Sequence, residues 1–161
     1  MRKLIPVLFL LFITVAHAQE VKLRLSSGLD SLRFHQTTLK EAKKLLGKPD
    51  SIHKTNFDID IFYHKLGLEL LFGKRIKNEL WCIALDKNSH ITINDSIKIN
   101  STDTIQLARL WGPPKEKDRR NNFIEFEYGP YVEPSESFYF NNKGILYMVI
   151  LSSSYVISVD F

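Results

Sequence analysis

Apolar residues along this chain follow two rhythms. Two short stretches repeat every three to four positions, the period of a helix, and most of the rest alternates every second position, the period of a half-buried strand. In TTLKEAKKLLGKPDSI, Leu39, Ala42, Leu45 and Leu46 share one helical face while Lys40, Lys43 and Lys44 lie off it. Thr37 or Thr38 supplies a hydroxyl to cap the start, and Glu41 stands where a capping box with Thr38 needs it. Gly47 offers a left-handed C-cap and Pro49 forbids continuation, so the helix is short. The stretch TDTIQLARLWGPPKEK writes the same sentence 65 positions later, with Asp103 as the cap and Gly112-Pro113-Pro114 as the stop.

Strands surround each helix. Val21–Leu25 alternates, SSGLDS reads as a turn, and Leu32–Phe34 as a short strand. Asp58–His64, Gly67–Phe72 and Glu79–Leu85 follow the first helix as a meander. Ile59, Ile61, Leu68, Leu70 and Phe72 fall on one face of it; Asp60, Phe62, Glu69 and Leu71 fall on the other. The order then starts again with His90–Ile93, Ile97–Ile99, the second helix, Phe123–Gly129, Ser137–Phe140 and Gly144–Ser152. By that correspondence Ile124, Phe126, Phe138 and Phe140 join the first face, and Glu125, Glu127 and Tyr139 the second. Val156–Phe161 reads as a further edge strand, and Lys115–Arg120 (KEKDRR) as a solvated loop. The expected fold is α+β: two tandem ββαβββ repeats, residues 19–88 and 89–161, forming antiparallel sheet with the helices packed on one face. Neither half alone buries much apolar area, so the two should share one core.

The pattern [ST]-x-x-x-[AVL]-x-x-L-x-G-x-P, carried by Leu46, Gly47 and Pro49 and again by Trp111, Gly112 and Pro114, resembles two related groups. They are the BamE/SmpA outer-membrane assembly lipoproteins and the beta-lactamase inhibitory protein. The double L-G-x-P is also similar to uncharacterised exported proteins of Bacteroidetes-type bacteria. The resemblance implies a helix-plus-sheet scaffold and a protein-binding role in envelope assembly or enzyme inhibition. It carries no functional residue across, because Gln19 stands where such a lipoprotein has its lipid-modified Cys, and one cysteine cannot form the inhibitor's disulfides.

The first 18 residues look like a secretory signal peptide: Arg2 and Lys3, an apolar run from Leu4 to Val15, and Ala16-His17-Ala18 before Gln19. The run is shorter than the ~20 residues of a membrane span. With no Cys after the cleavage site, neither a span nor a lipid anchor is expected, and the product should be periplasmic or secreted. Without Arg2 and Lys3 the 22 basic residues become 20 against 18 acidic ones, too even a mixture for a nucleic-acid binder.

Candidate chemistry is sparse. Cys82 lies among large apolar neighbours in LWCIAL, where thiols are usually inert. His35, His53, His64 and His90 show no metal-ligand spacing, and no phosphate-binding glycine loop or nucleophile elbow occurs. Asp58 with Asp60, and Glu125 with Glu127, could be paired carboxylates, but alternation alone puts polar residues on a solvent-facing side. No catalytic, cofactor or metal residues are therefore expected. The sequence points to a non-catalytic protein-binding module whose partner is another envelope or exterior protein. Its candidate contacts are Phe62, Leu71, Tyr139 and Tyr131, the last in the loop YGPYVEPSES. The alternatives are a small-ligand or lipid carrier using the apolar sheet face, and an unrecognised hydrolase.

Overall fold

The computed structural model describes residues 22–24, 28–29, 32–120, 122–129 and 135–153. The leader, Tyr131 and Val156–Phe161 lie outside the described residues. The element order is β1 (Lys22–Arg24), β2 (Gly28–Leu29), α1 (Leu39–Leu46), β3 (Ser51–Lys54), β4 (Asp58–Tyr63), β5 (Leu68–Gly73) and β6 (Glu79–Leu85). It continues with β7 (Thr92–Ile93), β8 (Ile97–Lys98), α2 (Thr104–Trp111), β9 (Glu116–Arg120), β10 (Phe123–Tyr128), β11 (Ser135–Asn141) and β12 (Leu146–Ser152). The architecture is mixed, mostly β: a large antiparallel sheet with two helices.

The helices stop and start as their end residues dictate. Thr38 and Glu41 form a capping box on α1, and Asp103 and Gln106 form one on α2. Asp103 Oδ1 accepts from both Ile105 and Gln106 N–H at 2.8 Å, whereas Thr38 Oγ1 accepts only from Glu41 N–H, at 3.4 Å. Thr37 does other work. It is buried and its hydroxyl accepts from Arg33 N–H at 2.7 Å, as buried Thr102 does from Lys98 N–H at 2.9 Å. Gly47 (φ 82°, ψ −162°) and Gly112 (φ 83°, ψ −174°) end the helices at positive φ, but not in the left-handed helical region expected of a C-cap. They adopt the extended positive-φ region that is essentially glycine's alone. Tyr63 and Tyr128 donate their hydroxyls to the Gly47 and Gly112 carbonyls at 3.1 and 3.2 Å, fixing each exit against its sheet.

Eight strands form one sheet in the order β3-β4-β5-β6-β12-β11-β10-β9, while β2-β1-β7-β8 form a small second sheet. The chain therefore builds the large sheet from both rims inward, and β6 meets β12 at the centre: Val149 opposite Leu85, Leu151 opposite Ile83. The parallel pair of β1 with β7 joins the halves a second time. Period-two alternation sorts the side chains. Ile61, Leu70, Phe72, Leu80, Ile83, Phe138, Phe140 and Val149 are fully buried on one face. Ala42 of α1 and Leu107 of α2 join them in the core, as do Ile91, Ile93, Ile97 and Ile99 from around β7 and β8. Trp111 of α2 meets Tyr128 and Phe138 edge-on at 5.5 and 5.1 Å. Both helices and the small sheet thus cover the same face of the large sheet.

Several expectations need correction. Each helix is followed by four strands, not three, because Ser51–Lys54 and Glu116–Arg120 are strands. All residues of β3 and β9 are exposed, so neither carries an apolar rhythm that would reveal it. Most of KEKDRR is therefore an edge strand, and its charges suit an edge that must not recruit further chains. Leu32 makes only an isolated bridge, with a turn after it in place of a strand. Gly28–Leu29, inside the expected turn, pairs with β1.

Candidate functional site

The other face of the large sheet is the candidate site. Asp58, Asp60 and Phe62 on β4, Glu69 and Leu71 on β5, and Glu125 and Glu127 on β10 are all half-buried. Tyr139 on β11 is half-buried too, as are Met148 and Ile150 on β12. Register carries these residues across the sheet: Phe62 opposite Glu69, Glu69 opposite Ala84, Ala84 opposite Ile150, Ile150 opposite Ser137, Ser137 opposite Glu127. Phe62, Leu71 and Tyr139 consequently share this face; Tyr131 lies outside the described residues.

A register shift between Leu71 and Phe72 re-aims β6. Leu80 pairs with Phe72 on the buried side and Cys82 pairs with Leu71, so Trp81 is the extra residue. Its indole N–H donates to Asp58 Oδ1 at 3.2 Å, at the rim of the open face. A second shift, between Tyr139 and Phe140, leaves Tyr147 as the extra residue of β12. Sequence reasoning missed both bulges, as well as Trp81, Met148 and Ile150 as members of this face. Apolar runs on both sides of a strand hide where its parity breaks.

The face is acidic. Glu127 lies opposite Glu116, and Glu125 opposite Asp118, two like-charged cross-strand pairs of a kind that destabilises sheets. Arg120 holds Asp118 at 2.9 Å and lies over Phe123, 5.5 Å from the ring centre. His53 meets Asp60 Oδ2 at 3.2 Å, while Asp60 Oδ1 is buried and meets no donor among the described residues. Burial raises the Glu69 carboxyl above its ordinary range, and the negative charges of Asp60 and Asp86 push the same way. Tyr139 is pushed up to about 12, first by burial and then by its hydrogen bond with Glu125.

Between β4, β5, β6 and β12 lies a depression of about 200 Å³, lined by Phe62, His64, Glu69, Ala84, Asp86 and Met148 among others. The His64 ring stacks on Phe62 with centres 6.0 Å apart. Burial, followed by the charges of Glu69, Asp60 and Asp58, pushes the Cys82 thiol up to about 12, far from the thiolate that a nucleophile needs. His35 Nε2 and Ser153 Oγ lie 2.5 Å apart on the opposite side of β6 from the acidic face, with Ser153 buried. Among the described residues no three His, Cys, Asp or Glu side chains converge on a metal position, and no helix is long and apolar enough to cross a membrane.

No family model matches the chain, and no curated protein sequence matches it. The crystal structure of YjgB, a DUF4309 family protein from Bacillus subtilis subsp. subtilis strain 168, is similar in fold. The TM-score is 0.56 at 12% identity, over 77% of this chain and 83% of that one. Likeness at that identity is a likeness of fold. It overturns the resemblance to BamE/SmpA lipoproteins, the beta-lactamase inhibitory protein and the double L-G-x-P exported proteins, since the structural neighbour is a DUF4309 protein. The residues that carried the resemblance, Leu46-Gly47-x-Pro49 and Trp111-Gly112-x-Pro114, stop a helix so that the chain can return along a sheet, a need common to many families.

Proposed function

We propose that this protein is a non-catalytic binding module that holds another protein against the open face of its large sheet. One observation carries the reading: Phe62, Leu71, Tyr139, Met148 and Ile150 are half-buried on the face that neither helix covers, interleaved with Asp60, Glu69, Glu125 and Glu127. Apolar and aromatic area set among charges is the make-up of protein contact surfaces. The carrier reading is weaker, because the apolar face it would use is filled by Phe72, Phe138 and Phe140, all fully buried. The leader pattern supports export by a cleavable signal and contact with an envelope or exterior partner.

The scaffold reads as a tandem duplication of a ββαββββ unit. Its support is a set of hydrogen bonds that recur 65 residues apart: Tyr63 to Gly47 and Tyr128 to Gly112, Arg33 to Thr37 and Lys98 to Thr102. Asp50 N–H to the Phe62 carbonyl and Lys115 N–H to the Glu127 carbonyl keep the same spacing, and a bulge falls at Phe72 and again at Phe140.

A photo-crosslinking amino acid placed singly at Phe62, Tyr139 or Leu110 tests the contact reading in the producing cell. Leu110 is half exposed on the outside of α2 and serves as the control. Phe62 and Tyr139 are expected to give the same discrete adduct and Leu110 none. Adducts from Leu110 alone, or from no position, would overturn the proposal.

A further inference from the structure

Resting on that contact reading, we propose that the depression beside Glu69 is the seat of one arginine side chain presented by the partner protein. Its size suits a single side chain: about 200 Å³ lies below the roughly 300 Å³ at which small-molecule pockets begin. Its lining then selects among side chains. Phe62 and His64, stacked at 22° between planes, give a flat wall. Ala84 and Met148 add apolar lining suited to a methylene stem, and the lining includes two carboxylates, Glu69 and Asp86, the latter also accepting from Asn88 N–H at 2.7 Å. A guanidinium is the group that stacks on a ring and meets carboxylates with a planar fork; an ammonium matches only the charge.

Charge points the same way. Glu69 has no cation within ion-pair distance among the described residues. Asp60, diagonal to Glu69 on the same face, holds a buried oxygen that meets no donor among the described residues. Held against Asp60 and Asp86, the Glu69 carboxylate is a deficit that an incoming cation relieves, and a buried arginine in a fitted pocket is a recurrent anchor of interfaces. Glu125 and Glu127 put further negative charge on the same face, towards the edge where Arg120 pairs with Asp118.

The probe is N-acetyl-arginine-N-methylamide, titrated into the purified protein with ¹³C-labelled methionine methyls; the citrulline amide keeps the shape and lacks the charge. A saturable shift of the Met148 methyl is expected with the arginine amide only. Glu69→Gln should weaken it about tenfold or more, the scale of one charge-assisted hydrogen bond. Ala84→Leu, which fills the depression, should abolish it, with each variant's melting curve confirming its fold. No saturable shift, an equal response to citrulline, or indifference to both variants would overturn the assignment. If Tyr139 adducts form while the depression ignores the arginine amide, the arginine seat falls and the contact face stands; if no adduct forms, both fall.

Discussion

Gly47 and Gly112 offer a test in which only the handedness of one carbon changes. A Cβ built on either residue meets nothing within 4 Å, so replacement by L-alanine creates no clash. The penalty is confined to the backbone, held at φ 82° with ψ −162° in one case and φ 83° with ψ −174° in the other. An L-residue in that region costs about 1–3 kcal/mol. At about 2–4 °C per kcal/mol for a chain of this size, each of Gly47→Ala and Gly112→Ala should lower the melting temperature by about 2–12 °C. D-alanine at the same site, introduced by peptide ligation, reverses the sign. Mirroring the dihedrals puts it in the ordinary extended region, and it restricts the unfolded chain, a gain of about 0.4–1 kcal/mol. Gly67 is the contrast: its Cβ would lie 2.3 Å from Ser89 N and 2.7 Å from Asn88 C, so alanine there fails by collision with backbone. Thermal and urea unfolding of the L and D forms decides the matter. An L-alanine variant that melts with the parent, or a D-alanine variant that loses as much as the L form, would refute the reasoning.

The two caps should rank by geometry. Asp103→Ala removes two short bonds to backbone N–H groups and should cost about 1–2 kcal/mol; Thr38→Ala removes one long bond from a backbone N–H and an exposed 2.8 Å bond to the Glu41 carboxylate, and should cost about 0.5 kcal/mol, both read from urea midpoints. Alkaline pH should destabilise the fold. Above pH 10 an unfolded Tyr139 loses its proton while the folded one, shifted to about 12, keeps it. The unfolded state then binds fewer protons, so stability falls as pH rises through that window. Tyr139→Phe should flatten that part of the decline in a pH series of unfolding curves, leaving the part due to Tyr63 and Tyr128, whose hydroxyls burial also shifts upward.

How much of this was legible in the sequence depended on contrast between neighbouring side chains. Strand β6 reads correctly to the residue because turn signals bracket its apolar run, and α1 and α2 read correctly because their caps and stops are chemically distinctive. Strands β3 and β9 were illegible: SIHK and EKDRR are exposed throughout, and their strand character comes from pairing with β4 and β10, not from burial. Alternation also put Phe62, Leu71 and Tyr139 on one face in advance. It could not find the depression, which needs β5 and β12 brought to either side of β6, a pairing order that no local pattern encodes. The family reading failed for a related reason, since helix punctuation records what backbone geometry demands and little about ancestry.

The junction of β6 with β12 has a consequence for biosynthesis. Residues 79–85 leave the ribosome some 60 residues before 146–152, their neighbours in the finished sheet. Throughout that interval one rim of ELWCIAL has hydrogen-bonding groups exposed and awaiting a partner. Folding therefore cannot be completed half by half as the chain emerges, and a product that terminates early has an obvious substitute at hand. The β6 of a second truncated molecule could align antiparallel to the first about a twofold axis, turning an incomplete monomer into a dimer.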